Sequence, residues 1–385
     1  MRLHLIIIQF LSLLIFCSAQ NQNKKWVLGT GYGIDFMQSP PALTIGSATL
    51  SSSIPGVYSA ASDVNGNLLF YTDGKKVYNQ AHAIMANGNG LLGDLAGAGW
   101  AELIVKKPGS NSLYYIFTVN AFASSMLNGG GYRYSIVDMS LAAGMGSVTT
   151  KNVLIYDPPT SPYFTGMNIN ATQHCNGSDF WIVTHDRGSA VFRSYLLSSA
   201  GLNTAAVTST VGDVMNDQGR QIKISPTGKK IALCLNWGIY APSSINVHDF
   251  DNSTGAVSSN SMALITPTPA PNGCEFSPDG KILYASTAYG GYPGIFQWDL
   301  CAGNAQAVNS SYNFISQGVI SNTYTTGSYN AFQLADDGKI YISVDSQNGI
   351  AVIHNPNAYG SACNLVRQSF LFPQNSGNSL SLIHI

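Results

Sequence analysis

The sequence predicts an all-β protein built from a repeated strand–turn–strand unit. Composition is the first observation, because 39 glycines, 20 tyrosines and only 10% charged residues suit short strands joined by many turns rather than helical bundles. The second observation is a motif that recurs along the chain, and the third is the spacing between its copies. Together they predict one large β-domain over residues 20–385.

The recurring motif is an apolar strand, a tight turn that ends in Gly-Lys, and a second apolar strand. Its clearest copies are residues 222–235, 274–286 and 332–343. Pro226 and Pro278 preset φ in two of the turns, and the glycine near the end of each turn accepts positive φ. These segments predict three consecutive β-hairpins with the same turn chemistry.

Further copies extend the repeat over most of the chain. A third strand is expected after each clear copy, at 245–250, 294–300 and 349–354, and looser two-strand copies occupy 59–71, 102–118 and 169–184. The six turn glycines are 43 to 68 residues apart, and they are Gly66, Gly109, Gly177, Gly228, Gly280 and Gly338. Periods of that length with three or four short strands predict a β-propeller rather than a sandwich.

The two chain ends predict how the ring closes. Strands are expected near the N-terminus at 26–28, 33–36 and 42–45, and near the C-terminus at 370–372 and 380–383. Outer strands from the N-terminus joined to inner strands from the C-terminus would complete a composite blade and remove an exposed sheet edge. We therefore predict seven four-stranded blades, with six and eight as the neighbouring alternatives.

The N-terminus predicts export from the cytoplasm. Arg2 precedes an apolar run over 5–16, and small Ser18 and Ala19 follow, which is the layout of a signal peptide cleaved after Ala19. The run is shorter than the roughly 20 residues that a membrane-spanning helix needs. We expect residues 1–19 to be removed, the mature protein to be secreted or at the cell surface, and no segment to span a membrane.

The charge balance argues against two classes of partner. The formal net charge is −1, so the chain has no basic field that would attract nucleic acid or anionic lipid. Of the six cysteines, five remain after the expected cleavage, and Cys234 and Cys274 fall in apolar strand patterns typical of buried free thiols. A bridge between Cys301 and Cys363 is an alternative for the remaining cysteines.

Several segments resemble a recurring pattern of large secreted surface proteins of the Bacteroidetes. They are 65–74 (NGNLLFYTDG), 114–118 (YYIFT), 134–139 (YSIVDM) and 276–281 (FSPDGK). Those gliding-motility-associated proteins, exported by type IX secretion, carry an N-terminal seven-bladed propeller with WD40/YVTN-like blades. The resemblance implies a surface or secreted location, a binding or adhesion role, and no catalytic residues. Such relatives continue into further repeats and a sorting domain, so we expect that the chain is either a stand-alone module or shortened at its C-terminus.

A candidate ligand-binding rim follows from the longer, aromatic connections between second and third strands and between blades. In a propeller these connections share one face, and binding residues commonly lie on loops of a rigid scaffold. Aromatic rings with few charges suit sugars or peptides. The alternative is that many of these rings pack between blades. The candidate rim consists of Trp100, Phe122, His185, Arg187, Trp237, Tyr240, Tyr289 and Tyr292.

No catalytic or metal-binding constellation stands out in the sequence. There is no Gly-x-Ser-x-Gly elbow and no His-Glu-x-x-His pair. His174 and His185 would lie ~13 Å apart in the expected hairpin, too far to share one ion. Asp63, Asn65 and Asn67 alternate oxygen side chains as in a calcium loop, although a hairpin turn explains the same residues. We predict no cofactor, with calcium as the alternative.

The leading functional prediction is a non-enzymatic propeller that binds a glycan or a protein partner through the candidate rim. The first alternative is a hydrolase or lactonase-like enzyme with a metal at the central tunnel. It predicts that inward-facing Glu, Asp, Asn or His side chains from several blades converge. The second alternative is a structural spacer within a larger assembly.

Overall fold

The fold is almost entirely β-structure, arranged as seven antiparallel units in chain order. A computed structural model describes residues 23–28, 31–45, 59–93, 102–120, 130–157, 166, 168–215, 221–235, 244–265, 271–287, 294–317, 329–344 and 349–371. Over these residues it contains 28 strands, two short 3₁₀ turns and one α-helix, α1 (Ala305–Ser310). No described helix is long and apolar enough to cross a membrane.

The first four units span the N-terminal half. Unit 1 comprises β1 (Lys25–Leu28), β2 (Tyr32–Asp35) and β3 (Ala42–Ile45). Unit 2 comprises β4 (Ser59–Ser62), β5 (Leu68–Thr72), β6 (Lys76–Asn79) and β7 (Ile84–Asn89). Unit 3 comprises β8 (Glu102–Lys106), β9 (Leu113–Asn120), β10 (Gly131–Asp138) and β11 (Ser147–Tyr156). Unit 4 comprises β12 (Ile169–Gln173), β13 (Phe180–His185), β14 (Val191–Ser198), β15 (Gly201–Leu202) and β16 (Val207–Thr210).

The remaining three units repeat the four-stranded pattern closely. Unit 5 comprises β17 (Ile222–Ile224), β18 (Lys230–Leu235), β19 (Ser244–Asp251) and β20 (Ala256–Ile265). Unit 6 comprises β21 (Pro271–Phe276), β22 (Ile282–Thr287), β23 (Gly294–Asp299) and β24 (Asn313–Gln317). Unit 7 comprises β25 (Tyr329–Leu334), β26 (Ile340–Val344), β27 (Gly349–Ile353) and β28 (Leu365–Leu371).

Strand pairing follows chain order within every unit except unit 4, where β15 and β16 both pair with β14. Units 2 and 3 are joined into one eight-stranded sheet by a single parallel pair, Ser147 with Ala86. All other pairs between strands are antiparallel, such as β17 with β18 and β21 with β22. The all-β prediction is therefore confirmed, and so are the predicted hairpins and third strands.

The turn glycines behave as the sequence predicts. All six have positive φ, from 65° at Gly228 to 79° at Gly66. In the three clearest copies the glycine N–H donates to the carbonyl three residues earlier, as Gly280 does to Ser277 at 2.8 Å. A glycine accepts this backbone conformation without the steric cost that a Cβ brings.

Apolar faces of neighbouring units pack against each other and close the units into a ring. Separate buried clusters lie between units 2 and 3, 3 and 4, 4 and 5, 5 and 6, and 6 and 7. Unit 1 joins both ends of this series. Its Val27 packs on Tyr71 of unit 2, and its Trp26 packs on Tyr341 of unit 7. Each sheet thus buries both faces, which is the architecture of a propeller.

The direction of β1 shows whether the strands of unit 1 take the inner or the outer positions of a blade. Lys24 Nζ lies 3.2 Å from Asp336 Oδ2 in the first turn of unit 7, and Met37 packs against Gly66 in the first turn of unit 2. β1 therefore starts at the edge where those turns lie and runs in the direction of the second strands of the other units. The N-terminus supplies outer strands, as predicted.

The C-terminal part of the closure prediction needs one correction. Phe370 and Leu371 belong to β28, the fourth strand of unit 7, where they pair with Ile350 and Gly349 of β27. They are therefore not an inner strand of a composite blade, because β27 needs an outer partner and the adjacent chain provides it. The predicted strand at 380–383 lies outside the described residues, so closure by that strand and the count of seven complete blades stay predictions.

The five cysteines in the described part of the chain are free thiols. Cys301 is exposed, whereas Cys363 is buried next to the last outer strand. The alternative of a bridge between these two is therefore absent from this structure.

Candidate functional site

Only two of the eight candidate rim residues belong to the described part of the chain, and both lie at or just after the end of β13 in unit 4. His185 is the last residue of β13, and Arg187 lies in the turn that leads to β14. The other six predicted residues fall outside the described residues, and they are Trp100, Phe122, Trp237, Tyr240, Tyr289 and Tyr292. The site is therefore built from the side chains around His185.

An ion pair between Asp186 and Arg193 organises the side of unit 4 that faces unit 3. Arg193 Nε donates to both carboxylate oxygens of Asp186, at 2.9 and 3.1 Å, and its Nη2 lies 2.8 Å from Oδ2. Asp186 is almost fully buried, while 18% of the Arg193 side chain is exposed. Burial raises the pKa of Asp186, although the guanidinium opposes the rise. The contact is a bidentate pair, which fixes the plane of the guanidinium.

Tyr156, at the end of β11, holds the same guanidinium from the neighbouring unit. The Arg193 Cζ lies 3.7 Å from the centroid of the Tyr156 ring, and Nη2 donates to the Tyr156 hydroxyl at 2.8 Å. Arg193 therefore combines an ion pair, a hydrogen bond and a cation–π contact. Its Nη1 donors make none of these bonds within the described residues, and 18% of the side chain is exposed.

Tyr132 ties the cluster to the backbone of unit 4. Its hydroxyl donates to the carbonyl of His185 at 2.9 Å and lies 3.3 Å from that of Gly166. Complete burial raises the pKa of Tyr132 well above its ordinary value, so the phenol stays protonated. The end of β13 is thereby fixed in position beneath Arg193.

His185 lies on the opposite face of β13, which packs against unit 5. It is fully buried, its backbone N–H donates to Asn168 Oδ1 at 2.8 Å, and its ring meets Phe192 edge-on at 4.4 Å. Neither ring nitrogen has a partner with hydrogen-bond geometry among the described residues. Burial lowers the pKa of His185 to about 3. The imidazole is therefore neutral at ordinary pH and is not presented to the surface.

His248 of unit 5 contacts the same Phe192 ring from the other side, at 5.2 Å. Its Nδ1 lies 3.1 Å from the carbonyl oxygen of Ser258 and donates to it, and burial lowers its pKa. Phe192 thus touches both imidazoles, and the seam between units 4 and 5 is apolar at this level. This seam offers packing rather than acid–base chemistry.

Arg187 adds a second cation at this end of unit 4. It is partly exposed, its Nε is buried without a hydrogen-bond partner in the described part of the chain, and none of the recorded ion pairs includes it. Its turn is held by the Gly188 N–H, which donates to the Met215 carbonyl at 2.7 Å. Arg193 is paired with Asp186, whereas Arg187 has no ion-pair partner among the described residues.

Stability at acidic pH is expected to depend on His185. The ordinary histidine pKa is about 6.5, so between that pH and the folded value of about 3 the unfolded chain binds a proton that the folded chain does not. The free energy of unfolding should therefore fall as the pH drops below about 6.5, by about 1.4 kcal/mol per pH unit for this proton. Urea unfolding between about pH 4.5 and 7.5 should show a smaller slope for His185→Phe than for the wild type. Equal slopes would contradict the assignment.

The predicted calcium loop is a hairpin turn whose oxygens are already used. Asp63 Oδ1 accepts from the N–H groups of Asn65 and Asn67, both at 2.8 Å, and Oδ2 accepts from the Asn67 side chain at 3.0 Å. Burial alone would raise the pKa of Asp63, but the hydrogen bonds outweigh it and lower the pKa. These bonds explain the residues without an ion.

Polar side chains also lie at or next to the first residue of the inner strand in five consecutive units. All of them are buried, and they are Ser59, Glu102, Asn168, Gln221 and Asn272. Several link neighbouring strands: Ser59 accepts from the Ile104 N–H at 3.2 Å, and Gln221 accepts from the Cys274 N–H at 3.0 Å. The described residues contain no group of three or more His, Cys, Asp or Glu side chains that could hold a metal ion.

Comparison with known proteins identifies the fold of this chain but not its family. No protein-family model matches the chain, and no curated protein matches it. A crystal structure of a protein from Lactobacillus plantarum matches with a TM-score of 0.53 and 13% identity over 91% of this chain and 94% of that one. A putative 6-phosphogluconolactonase from Bacteroides fragilis matches with a TM-score of 0.52 and 12% identity over 92% and 95%. The chain is a β-propeller.

Sequence reasoning named His185 and Arg187 at this end of unit 4 but did not single out Arg193, which organises the cluster there. Arg193 sits within an alternating strand, and nothing local distinguishes it from a surface arginine. The register of the β13–β14 hairpin could have indicated this residue. Arg193 pairs with Thr184, two residues before Asp186, so the three side chains lie on one face of the sheet. The partner Tyr156 comes from another unit and has no local signal.

Proposed function

We propose that this propeller is a non-enzymatic binding protein that recognises an acidic glycan at the end of unit 4. The observation that supports this function best is the guanidinium of Arg193, which Asp186 and Tyr156 hold in one orientation with its Nη1 donors left over. Hydrogen bonds from a charged guanidinium nitrogen to the oxygens of a carboxylate or sulfate group are stronger than those between neutral groups. Because the donors are fixed in advance, binding loses little side-chain entropy.

Arg187 and the aromatic residues of the candidate rim complete the proposed site. Arg187 supplies a second positive charge in the turn that follows Asp186, and tyrosine or tryptophan rings stack on the apolar faces of sugars. The chain has a net charge of −1, so attraction of an acidic ligand must come from such local groups rather than from the whole surface. We further propose a secreted or cell-surface location and an adhesion role, as in the Bacteroidetes surface proteins that the sequence resembles.

Binding to a glycan array tests the proposal. The full chain should bind acidic glycans over their neutral counterparts, and Arg193→Lys should weaken that binding at least about tenfold, because lysine cannot form the bidentate pair and stack on Tyr156 at once. Arg367→Lys is the matched control, since Arg367 lies on the outer strand β28 and contacts Ser316. Thermal unfolding of each variant separates lost binding from lost folding. Equal binding by wild type and Arg193→Lys, or no glycan bound at all, would overturn the proposal. Capture of a protein by the same surface would instead indicate a protein partner.

A lactonase-like enzyme with a metal at the inner strands is the second candidate. The sequence has only two glutamates, Glu102 and Glu275, and both lie buried on inner strands. A solved structure with the same fold carries the description putative 6-phosphogluconolactonase. This candidate predicts lactone hydrolysis that a chelator abolishes and that Glu102→Gln removes, while Arg193→Lys leaves it unchanged. Absence of hydrolysis with added calcium or manganese would rule it out.

A further inference from the structure

Two buried thiols meet at the seam between units 5 and 6. Cys234 lies on β18, the second strand of unit 5, and Cys274 lies on β21, the inner strand of unit 6. Both side chains are fully buried in the same apolar cluster, and both residues hydrogen-bond to Gln221, just before the start of β17. The sequence pattern identified each as a buried thiol but could not bring the two together.

One residue, Gln221, anchors both cysteine backbones. The Cys234 N–H donates to the Gln221 backbone carbonyl at 3.1 Å, and the Cys274 N–H donates to Gln221 Oε1 at 3.0 Å. The Cys274 sulfur lies 4.0 Å from the same backbone carbonyl. Cys234 and Cys274 are therefore held near each other by hydrogen bonds to one residue as well as by packing, and a cross-link requires two positions that are close together.

We propose that Cys234 and Cys274 are a disulfide-forming pair that covalently joins units 5 and 6 when the chain matures in an oxidising compartment. The oxidant is a small-molecule or protein disulfide. One thiolate attacks it to form a mixed disulfide, and the second thiolate then displaces the oxidant as a thiol. Two protein S–H bonds are lost, one S–S bond forms, and the two electrons and two protons reduce the oxidant to two thiols.

The remaining described cysteines lack such a partner. Cys175 and Cys301 are exposed, and Cys363 is buried near Tyr284 on the other side of unit 6. The proposed bridge would close a loop of about 40 residues, and a loop of that length restricts the unfolded chain enough to stabilise the fold. Because both thiols are buried in the folded chain, the oxidant would react with them while the seam is open, and the closed seam would then hold the bridged pair together.

Peptide mapping of the full chain tests the proposal. The chain is produced once by secretion and once in a reducing cytosol. Both samples are refolded with glutathione disulfide. They are then alkylated under denaturing conditions and digested without reductant. We expect a cross-linked peptide that contains Cys234 and Cys274, a mass about 2 Da below that of the reduced chain, and a Tm roughly 5 °C higher than after reduction.

Cysteine variants identify which two residues form the bridge, and the wild-type peptide map shows whether the bridge forms. Cys234→Ala and Cys274→Ala should each abolish the cross-linked peptide and leave the other cysteine alkylated, whereas Cys301→Ala should leave the peptide intact. Alkylation of both cysteines in every wild-type sample, or a cross-link that joins either of them to a different cysteine, would overturn the proposal. The peptide map does not depend on folding of the variants or on glycan binding.

Discussion

Replacing Lys223 by methionine is expected to lower the free energy of unfolding by about 3–5 kcal/mol. Lys223 Nζ lies 2.8 Å from Glu275 Oε2 and 2.7 Å from Gln333 Oε1, and the Lys223 and Glu275 side chains are only 6% and 4% exposed. Methionine fills a similar volume but leaves the Glu275 carboxylate buried without its counter-charge. Urea unfolding at neutral pH measures the loss.

A surface pair provides the matched control. Lys281 lies 3.5 Å from Asp279, but its side chain is 64% exposed, so Lys281→Met should change stability by less than about 0.5 kcal/mol. The double variant Lys223→Met/Glu275→Leu should lose less than Lys223→Met alone, because no uncompensated charge remains. Equal effects of Lys223→Met and Lys281→Met would show that the buried pair is not needed.

The size of this effect follows from where the network lies. Lys223, Glu275 and Gln333 come from β17, β21 and β25, the inner strands of units 5, 6 and 7. Glu275 also accepts from the Leu334 N–H at 3.0 Å. One buried network thus links three consecutive units, so its loss loosens two seams together.

Trp26→Ala is expected to destabilise the protein by about 3–5 kcal/mol. Trp26 is almost fully buried, and its ring lies 4.7 Å from that of Phe36 and 5.3 Å from that of Tyr341 in unit 7. Alanine would leave a cavity at the seam where the N-terminal strands meet the last unit. Because that seam closes the ring, we also expect faster proteolysis of units 1 and 7, which limited digestion followed by mass spectrometry would detect.

Leu371→Ala is the control for this prediction. Leu371 lies on the outer strand β28 of unit 7 and is 61% exposed, so its truncation should cost less than about 0.5 kcal/mol. If Trp26→Ala behaved like Leu371→Ala, the N-terminal strands would be an appendage rather than part of the ring.

The predictions that were confirmed rest on local chemistry. The turn at Ser277–Gly280 needs only four neighbouring residues, with a proline that presets φ and a glycine that accepts φ of 71°. Alternating apolar strands on either side of such turns are likewise a short-range property. Repetition of these signals predicted the hairpins, the third strands and the propeller.

The correction at the C-terminus shows where local signals stop being sufficient. Residues 370–371 read correctly as a strand, but a strand pattern does not say which edge it joins. Pairing of β28 with β27 is decided by the short connection between them and by the outer edge of β27 that needs a partner.

The sequence by itself determined the strands, the turns, the repeat and the prediction of export, because each depends on residues that are close together in the chain. Only the tertiary structure decided the contacts between units. It placed Arg193 on Tyr156, Lys223 between Glu275 and Gln333, and Cys234 in one buried cluster with Cys274. These residues are separated by 37 to 110 positions. They meet because stacked sheets bury their faces together, and no spacing along the chain encodes which side chains then touch.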